Sequence, residues 1–511
     1  MSKYVIGVDI GTTSTKSVLY SDRGRLIEKH AVGYPLNAPT LGAAVQNPEQ
    51  IFQAVVTTVK RIVENSGVNQ SEILCLSFSA AMHSLIVVDG EGKPLTPILT
   101  WADNRSADWA DKLKECGGHE IYTRTGTPIH PMSPLVKLMW LRESKPELWQ
   151  QAAKFISIKE YIFWQLFREY IVDYSIASAT GLFNFNSLTW DTQALDLAGI
   201  KASQLSQLVP TTHILRSLKT EYADEMGIAA DTPVVVGAND GVLANLGVGA
   251  IAPGIATVTV GSSGAVRTTV RKPQTDPQQR LFCYPLTEDY WVIGGAVNNG
   301  GITLRWVRDH LADAEIDTAK LLKQDPYDML TAIAQTIPAG SEGLIFHPYL
   351  SGERSPLWDA NARGSFFGLA LHHNKAHLIR SVLEGVVYNL YLVFQALESI
   401  TGEVKTIKAA GGFARSPLWR QMLADVFNRQ VSIPESYESS SLGAAILGLY
   451  AIGEIADLRE SQLTNGEIHQ HQPIASNVAN YQKILPLYCR LLDSFKTEYA
   501  AIAQLQKDLQ Q

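Results

Sequence analysis

Residues 9–16 read Asp9-Ile10-Gly11-Thr12-Thr13-Ser14-Thr15-Lys16. A carboxylate, a glycine and a run of hydroxyls in this order suit the handling of phosphate. Gly11 lets backbone approach a ligand closely, and successive N–H groups with Thr and Ser hydroxyls can cradle phosphate oxygens. The run is not a Walker A loop, which needs Gly immediately before its Lys, where Thr15 stands. Alone, such a run could equally be an ordinary β-turn. A second copy argues otherwise: Thr259-Val260-Gly261-Ser262-Ser263-Gly264 repeats the glycine and paired hydroxyls in the other half of the chain. A third cluster, Gly237-Ala238-Asn239-Asp240-Gly241, follows an apolar run and presents one carboxylate. N-D-G is a common turn, and a carboxylate so placed is also fit for general-base work.

These residues need elements to hold them. Residues 4–10 read as a buried strand, and Lys16–Tyr20 and Arg25–Ala31 complete a β-meander around a D-R-G turn. Residues 256–270 repeat strand, turn and strand, so two duplicated lobes are expected. Pro48–Ser66, Val136–Glu143 and Lys375–Ile400 read as helices, and Leu76–Ser79, Pro233–Val236 and Thr406–Ala410 as strands. Ser439-Ser440-Ser441 is read as the cap of an apolar helix over Leu442–Tyr450, and Tyr481–Leu509 as a terminal amphipathic helix. Alternating strands and helices give an α/β class. The expected division is 1–250 for an N-terminal lobe, 251–455 for a C-terminal lobe and 456–511 for a helical extension.

Composition excludes several alternatives. The chain has 511 residues, 46% hydrophobic and 18% charged, with a net charge of -7. These are values of a globular rather than a disordered protein. No clustered Lys and Arg mark a nucleic-acid surface. Cys75, Cys116, Cys283 and Cys489 are scattered, which argues against a disulfide framework or a zinc site. Asp9 interrupts the first apolar run, a poor signal peptide. The longest apolar stretch, Leu442–Gly453, is too short for a membrane span, which needs about 20 residues. A soluble, cytoplasmic protein is expected, with no nucleic-acid or membrane partner; a homodimer is the assembly considered.

Two longer motifs carry a family resemblance. Met132, Pro134, Lys137, Leu138, Trp140, Leu141, Arg142 and Glu143 reproduce one signature of the FGGY carbohydrate kinases, departing from it at Ser144. The run Gly364-Ser365-Phe366-Phe367-Gly368-Leu369, followed after seven residues by His377-Leu378 and Ser381-Val382-Leu383-Glu384, reproduces the other. With both phosphate loops in order, the chain resembles this family from about residue 3 to 455. The resemblance implies two actin/hexokinase-like (ribonuclease H-like) lobes with an interlobe cleft, and ATP with Mg²⁺ as cofactors. Thr100-Trp101-Ala102-Asp103-Asn104-Arg105, Arg124–Pro131 and His347-Pro348-Tyr349-Leu350 are most similar to the branch that acts on gluconate.

The resemblance implies roles residue by residue. Asp240 falls at the catalytic base, with Gly241 beside it, and Asp9 at the Mg²⁺ position, where a turn-capping role is the alternative. Thr12, Thr13, Ser14 and Lys16 fall at nucleotide-phosphate positions, as do Ser262, Gly301 and Arg305. Gly412 and Ser416 match the adenosine loop, in which Phe413 and Ser416 depart from some relatives. Met82 and His83 fall at sugar contacts. Trp101, Asp103 and Met132 are placed with the substrate, Trp101 being equally suited to a core. A sugar acid would need a cation, and Arg124, Arg105, Arg354, His83 and His130 are unranked candidates. The implied reaction is phosphorylation of D-gluconate by ATP, giving 6-phosphogluconate. The rivals are another sugar kinase of the family, such as a xylulokinase, and a nucleotide-switch protein of the actin or chaperone type.

Overall fold

The computed structural model describes residues 3–434, 438–460 and 469–509. The chain forms two units. The first takes the described residues of Met1–Ala252, Thr269–Ile293 and Glu438–Asn465; the second takes those of Pro253–Thr268, Gly294–Tyr437 and Gly466–Gln511.

The first unit is built on β1 (Tyr4–Ile10), β2 (Ser14–Ser21), β3 (Leu26–Gly33), β4 (Ile73–Ala80), β5 (Ile214–Leu215) and β6 (Val234–Asn239), in the order β5-β6-β4-β1-β2-β3. β1 runs antiparallel to β2 and parallel to β4, and β4 runs parallel to β6. Near-continuous apolar sequence in β1 and β6 suits strands covered on both faces. Helix α1 (Pro48–Ser66) starts where the Asn47 side chain accepts from the Glu49 and Gln50 amides and stops at left-handed Gly67. Its Ile51, Phe52, Val55, Val59 and Ile62 recur at helical spacing and are buried. A second core cluster surrounds α2 (Pro134–Ser144), through Leu135, Leu138 and Leu141. Helix α3 (Ile158–Phe167) and helix α4 (Asp240–Gly247) complete the elements that reach the site.

In the second unit, β7 (Ile255–Val260), β8 (Gly264–Val270), β9 (Trp291–Val297), β10 (Thr406–Ala410), β11 (Gln430–Ile433) and β12 (His469–His471) run in the order β9-β8-β7-β10-β11-β12. β7 pairs antiparallel with β8 and parallel with β10, and β12 closes the edge antiparallel to β11. Over these six strands the order repeats that of the first sheet, which is the expected duplication, and a seventh strand, Phe282–Pro285, pairs beyond β9. Helices α5 (Gly301–Leu311), α6 (Pro326–Gln335), α7 (Lys375–Thr401) and α8 (Pro417–Phe427) follow their loops. Glu384 of the second signature is fully buried in α7 and bonded by Arg380, Ser341, Tyr481 and the Gly340 amide, so that motif has a packing role.

Two elements depart from expectation. Helix α9 (Ser439–Ala451) includes the three serines in its first turn rather than having them as a cap. It also belongs to the first unit, although 251–455 reads as one lobe in sequence. Glycines explain its position: a Cβ on Gly443 would meet the Leu243 carbonyl at 1.9 Å, and one on Gly247 the Ser439 carbonyl at 1.9 Å. Backbone meets backbone where α9 crosses α4, and no side chain fits. The terminal helix α10 (Ala475–Asp508) starts before Tyr481 and groups with the second unit. Of the expected extension over 456–511, residues 461–468 and 510–511 lie outside those described. Among the described residues no helix is long and apolar enough to cross a membrane.

Candidate active site

In the first unit, the C-terminal ends of three parallel strands come together. Asp9 at the end of β1 is in register with Ser79 of β4, whose hydroxyl donates to Asp9 Oδ1 at 2.6 Å. Asn239 ends β6 opposite Ala80, and Asp240 opens α4 as the next residue. Open α/β sheets bind ligands at this edge. Burial pushes the Asp9 carboxyl up to about 6, and the Asp240 carboxylate adds to the rise, while the Ser79 hydrogen bond opposes it. The Lys16 charge also opposes the rise and that of Glu438 adds to it.

The turn between β1 and β2 is held from outside. The Tyr34 hydroxyl donates to the Gly11 carbonyl at 2.7 Å and Gln46 to the Thr12 carbonyl at 2.7 Å. The Trp101 indole N–H donates to the Thr12 hydroxyl at 2.9 Å. Thr13 is exposed and Ser14 half-buried. Lys16 is ion-paired with Glu438 at 2.5 Å, and Glu438 also receives Lys29 at 3.3 Å. Thr12, Trp101 and Met82 line one small pocket together with Gln46, Ser84 and Thr100. Trp101 is thus a pocket wall tied to the loop.

Asp240 is supported by buried polar groups. Asn239 bonds Ser175 through its amide side chain at 2.8 Å and caps α4 at the Val242 amide. Lys159, buried on α3, bonds the Ala238 carbonyl at 3.3 Å and pairs with buried Asp173 at 2.7 Å. Gly237 sits at φ +70 with its hydrogen aimed at β4: a Cβ there would lie 1.7 Å from the Phe78 carbonyl.

The other predicted substrate residues differ in position. His83 is buried, left-handed at φ +67, and donates Nδ1–H to the Ala179 carbonyl at 2.6 Å. His130 is buried, and its Nδ1 accepts from the Met132 amide at 3.2 Å. Met132 is buried too, and its carbonyl accepts from Lys137. Asp103 is buried and held by Arg105 in a two-pronged pair, so neither group is uncommitted. Arg124 is bonded to Asp191 at 2.7 and 3.1 Å and to Gln193 at 2.8 Å, and it is not among the residues lining the Met82 pocket. Its charge is already matched by Asp191. Arg354 bonds the Asn298 side chain and the Val297 carbonyl in the second unit.

The second unit holds a pocket of about 300 Å³. Ser262, Gly301 and Arg305, expected at the phosphates, and Gly412 and Ser416, expected at the adenosine, all line it. The Gly300 and Ile302 amides donate to the Ser262 carbonyl and the Gly301 amide to the Gly261 carbonyl, so the start of α5 clamps the β7–β8 turn. Arg305 reaches the Ser262 hydroxyl at 3.5 Å. Gly411 needs φ +106, whereas a Cβ on Gly412 would enter open space, leaving room for a flat ligand against backbone. Ser416 also caps α8 by accepting from the Trp419 amide. Asp325, Tyr327, Asp328 and Thr331, around the start of α6, and Arg415 complete the wall. Sequence reading missed them: Asp325-Pro326 signals only a helix start.

Comparison with known proteins agrees with this layout. Residues 4–247 match the N-terminal domain and residues 256–452 the C-terminal domain of the FGGY family of carbohydrate kinases. A gluconokinase of Bacillus subtilis (strain 168) is 54% identical over 511 residues, covering 100% of this chain and 99% of that protein. A crystal structure of gluconate kinase from Lactobacillus acidophilus superposes with a TM-score of 0.92 at 40% identity, over 98% of this chain and 100% of that one. A ligand-bound xylulose kinase from the same organism gives 0.92 at 39% identity, over 98% and 100%.

Proposed function

Since the chain belongs to the FGGY family of carbohydrate kinases, we propose that it transfers the terminal phosphoryl group of ATP to D-gluconate, yielding ADP and 6-phosphogluconate. The observation that carries gluconate is the 54% identity to a gluconokinase along the full length. Asp240 is the general base: the sugar 6-hydroxyl is a weak nucleophile, and a carboxylate at hydrogen-bond distance takes its proton as the phosphorus–oxygen bond forms. Asp240 suits this task because its backbone is fixed through Ala238 and Asn239 by Lys159 and Ser175.

Asp9 suits Mg²⁺, which takes one or two carboxylates with phosphates and water rather than a protein cage. Among the described residues no cluster of three or more His, Cys, Asp or Glu side chains could hold a metal. Burial, and after it the Asp240 charge, raises the Asp9 carboxyl to about 6, and a divalent cation there would favour its ionised form. Bound there, Mg²⁺ would offset charge on the transferring phosphoryl. Thr12, Thr13, Ser14 and Lys16, with Ser262, Gly301 and Arg305, are assigned to the nucleotide phosphates, and Gly412 and Ser416 to its adenosine. Met82, His83, Trp101 and Met132 are assigned to the sugar. A cytoplasmic location fits this chemistry.

Xylulose is the second reading, favoured by the likeness to the Lactobacillus xylulose kinase. A site that hydrogen-bonds a substrate carboxylate rejects neutral analogues by leaving its donors unpaired. ADP release measured over gluconate, xylulose and glucitol should give gluconate a kcat/KM at least about 100-fold above the others. Equal efficiency on xylulose would overturn gluconate.

A further inference from the structure

Lys137 takes no part in the chemistry above, yet it is placed where the proposed sugar contacts are made. It lies one turn into α2 and is completely buried. Its ammonium bonds two backbone carbonyls, His83 at 3.0 Å and Met132 at 2.5 Å. A buried lysine is costly, and a methionine of similar length would fill the same space without a charge to desolvate. Burial accordingly pulls its pKa down to about 7, with the charge of Asp103 opposing and that of Arg105 adding to the fall. The two carbonyls belong to separate segments, the turn 81–84 and the residues before α2. A donor between them ties the two together.

The turn needs such a tie. His83 has a left-handed backbone at φ +67, a conformation unfavourable for a side chain with a Cβ unless its surroundings impose it. Two bonds impose it here: the His83 ring is held by the Ala179 carbonyl and the His83 carbonyl by Lys137. Met82, its neighbour, lines the pocket with Thr12 and Trp101. We propose that Lys137 is a positioning residue for the sugar, holding the Met82–His83 turn and the Met132 segment in register so that their side chains meet the substrate. The inference rests on the reading of that turn as the sugar contact. The nucleotide pocket, built entirely from second-unit residues, has no part in it.

The test is Lys137→Met in the full-length enzyme, with gluconate and ATP varied separately. Loss of both bonds should raise the KM for gluconate by about tenfold or more while the KM for ATP stays within about twofold. Lys137→Gln, which keeps a donor on a shorter arm, should recover part of the loss. Unchanged gluconate KM in folded Lys137→Met would overturn the proposal, as would failure of both variants to fold, which would mark a purely structural role. The wild type run alongside separates this from the substrate reading. If it uses xylulose and not gluconate, the substrate assignment falls, and the same KM split measured with xylulose decides the role of Lys137.

Discussion

The two hairpin turns that begin each sheet are copies with different equipment. In the first, β1 ends Asp9-Ile10-Gly11-Thr12; in the second, β7 ends Thr259-Val260-Gly261-Ser262. The glycine and following hydroxyl are shared, and the residue two before the glycine is not. Where Asp9 stands beside Asp240, Thr259 instead accepts a hydrogen bond from Arg267. The turns are also held by different means. Side chains from distant segments, Tyr34, Gln46 and Trp101, hold the first; amides at the start of α5 hold the second. One duplicated element thus carries its glycine and hydroxyl twice and its acid once. Under the proposed function, acid–base and metal chemistry fall to the first unit, and shape-based nucleotide binding to the second.

The largest effect that would sharpen this contrast is at Asp9. Asp9→Asn should lower kcat by about 10²-fold, whereas Thr259→Val should leave it within a fewfold, because only the first copy carries charge chemistry. If Asp9 holds Mg²⁺ as proposed, the acid limb of the wild-type rate should lie near its raised pKa, about 6, because the ionised carboxylate would be the binding form. Saturating Mg²⁺ should move that limb to lower pH, because the metal favours the ionised form. The stability sign runs the other way. A carboxyl raised from 3.8 to about 6 favours the folded state in acid, and that contribution is lost as pH rises from about 4 through 6. Asp9→Asn should therefore flatten the fall in melting temperature over that window. An Asp9→Asn enzyme of near wild-type turnover would break the comparison.

The second unit should respond to shape instead. Gly412→Val places a side chain in the open space of the pocket. The KM for ATP should then rise about tenfold, a loss of roughly 1.4 kcal/mol, with the gluconate KM unchanged. An unaltered ATP KM would move the nucleotide elsewhere. The smallest effect on specificity is expected at Arg124. Arg124→Met strands buried Asp191. It should cost about 1–2 kcal/mol, seen as a fall of a few degrees in melting temperature. The ratio of gluconate to xylulose efficiency should stay the same. A ratio that collapsed would return Arg124 to the substrate.

What could be read in the sequence was what local chemistry decides. Helix α1 begins after Asn47 at Pro48 and ends at Ser66 before Gly67, as its cap residues dictate, and β10 spans Thr406–Ala410 as its apolar run does. The duplicated hairpins were visible because glycine and hydroxyls recur in order. The membership of α9 in the first unit was not visible, because it depends on Gly7, Gly247 and Gly443 meeting backbone far away in sequence. Lys137 stood in the sequence only as a residue of the first signature and Lys159 carried no signal, since nothing beside them shows that their partners are the carbonyls of His83, Met132 and Ala238. The pairing of Arg124 with Asp191 was hidden for the same reason, the two lying 67 residues apart.

The central claim, that a strand-end carboxylate of the first unit activates the sugar hydroxyl, is tested most directly by Asp240→Asn. ADP release should be measured at saturating gluconate and ATP, beside equilibrium binding of ATP. The account predicts a loss of turnover of about 10²- to 10⁴-fold, the usual contribution of a general base, with ATP affinity within about twofold of wild type. Turnover above about half of the wild-type value would contradict it.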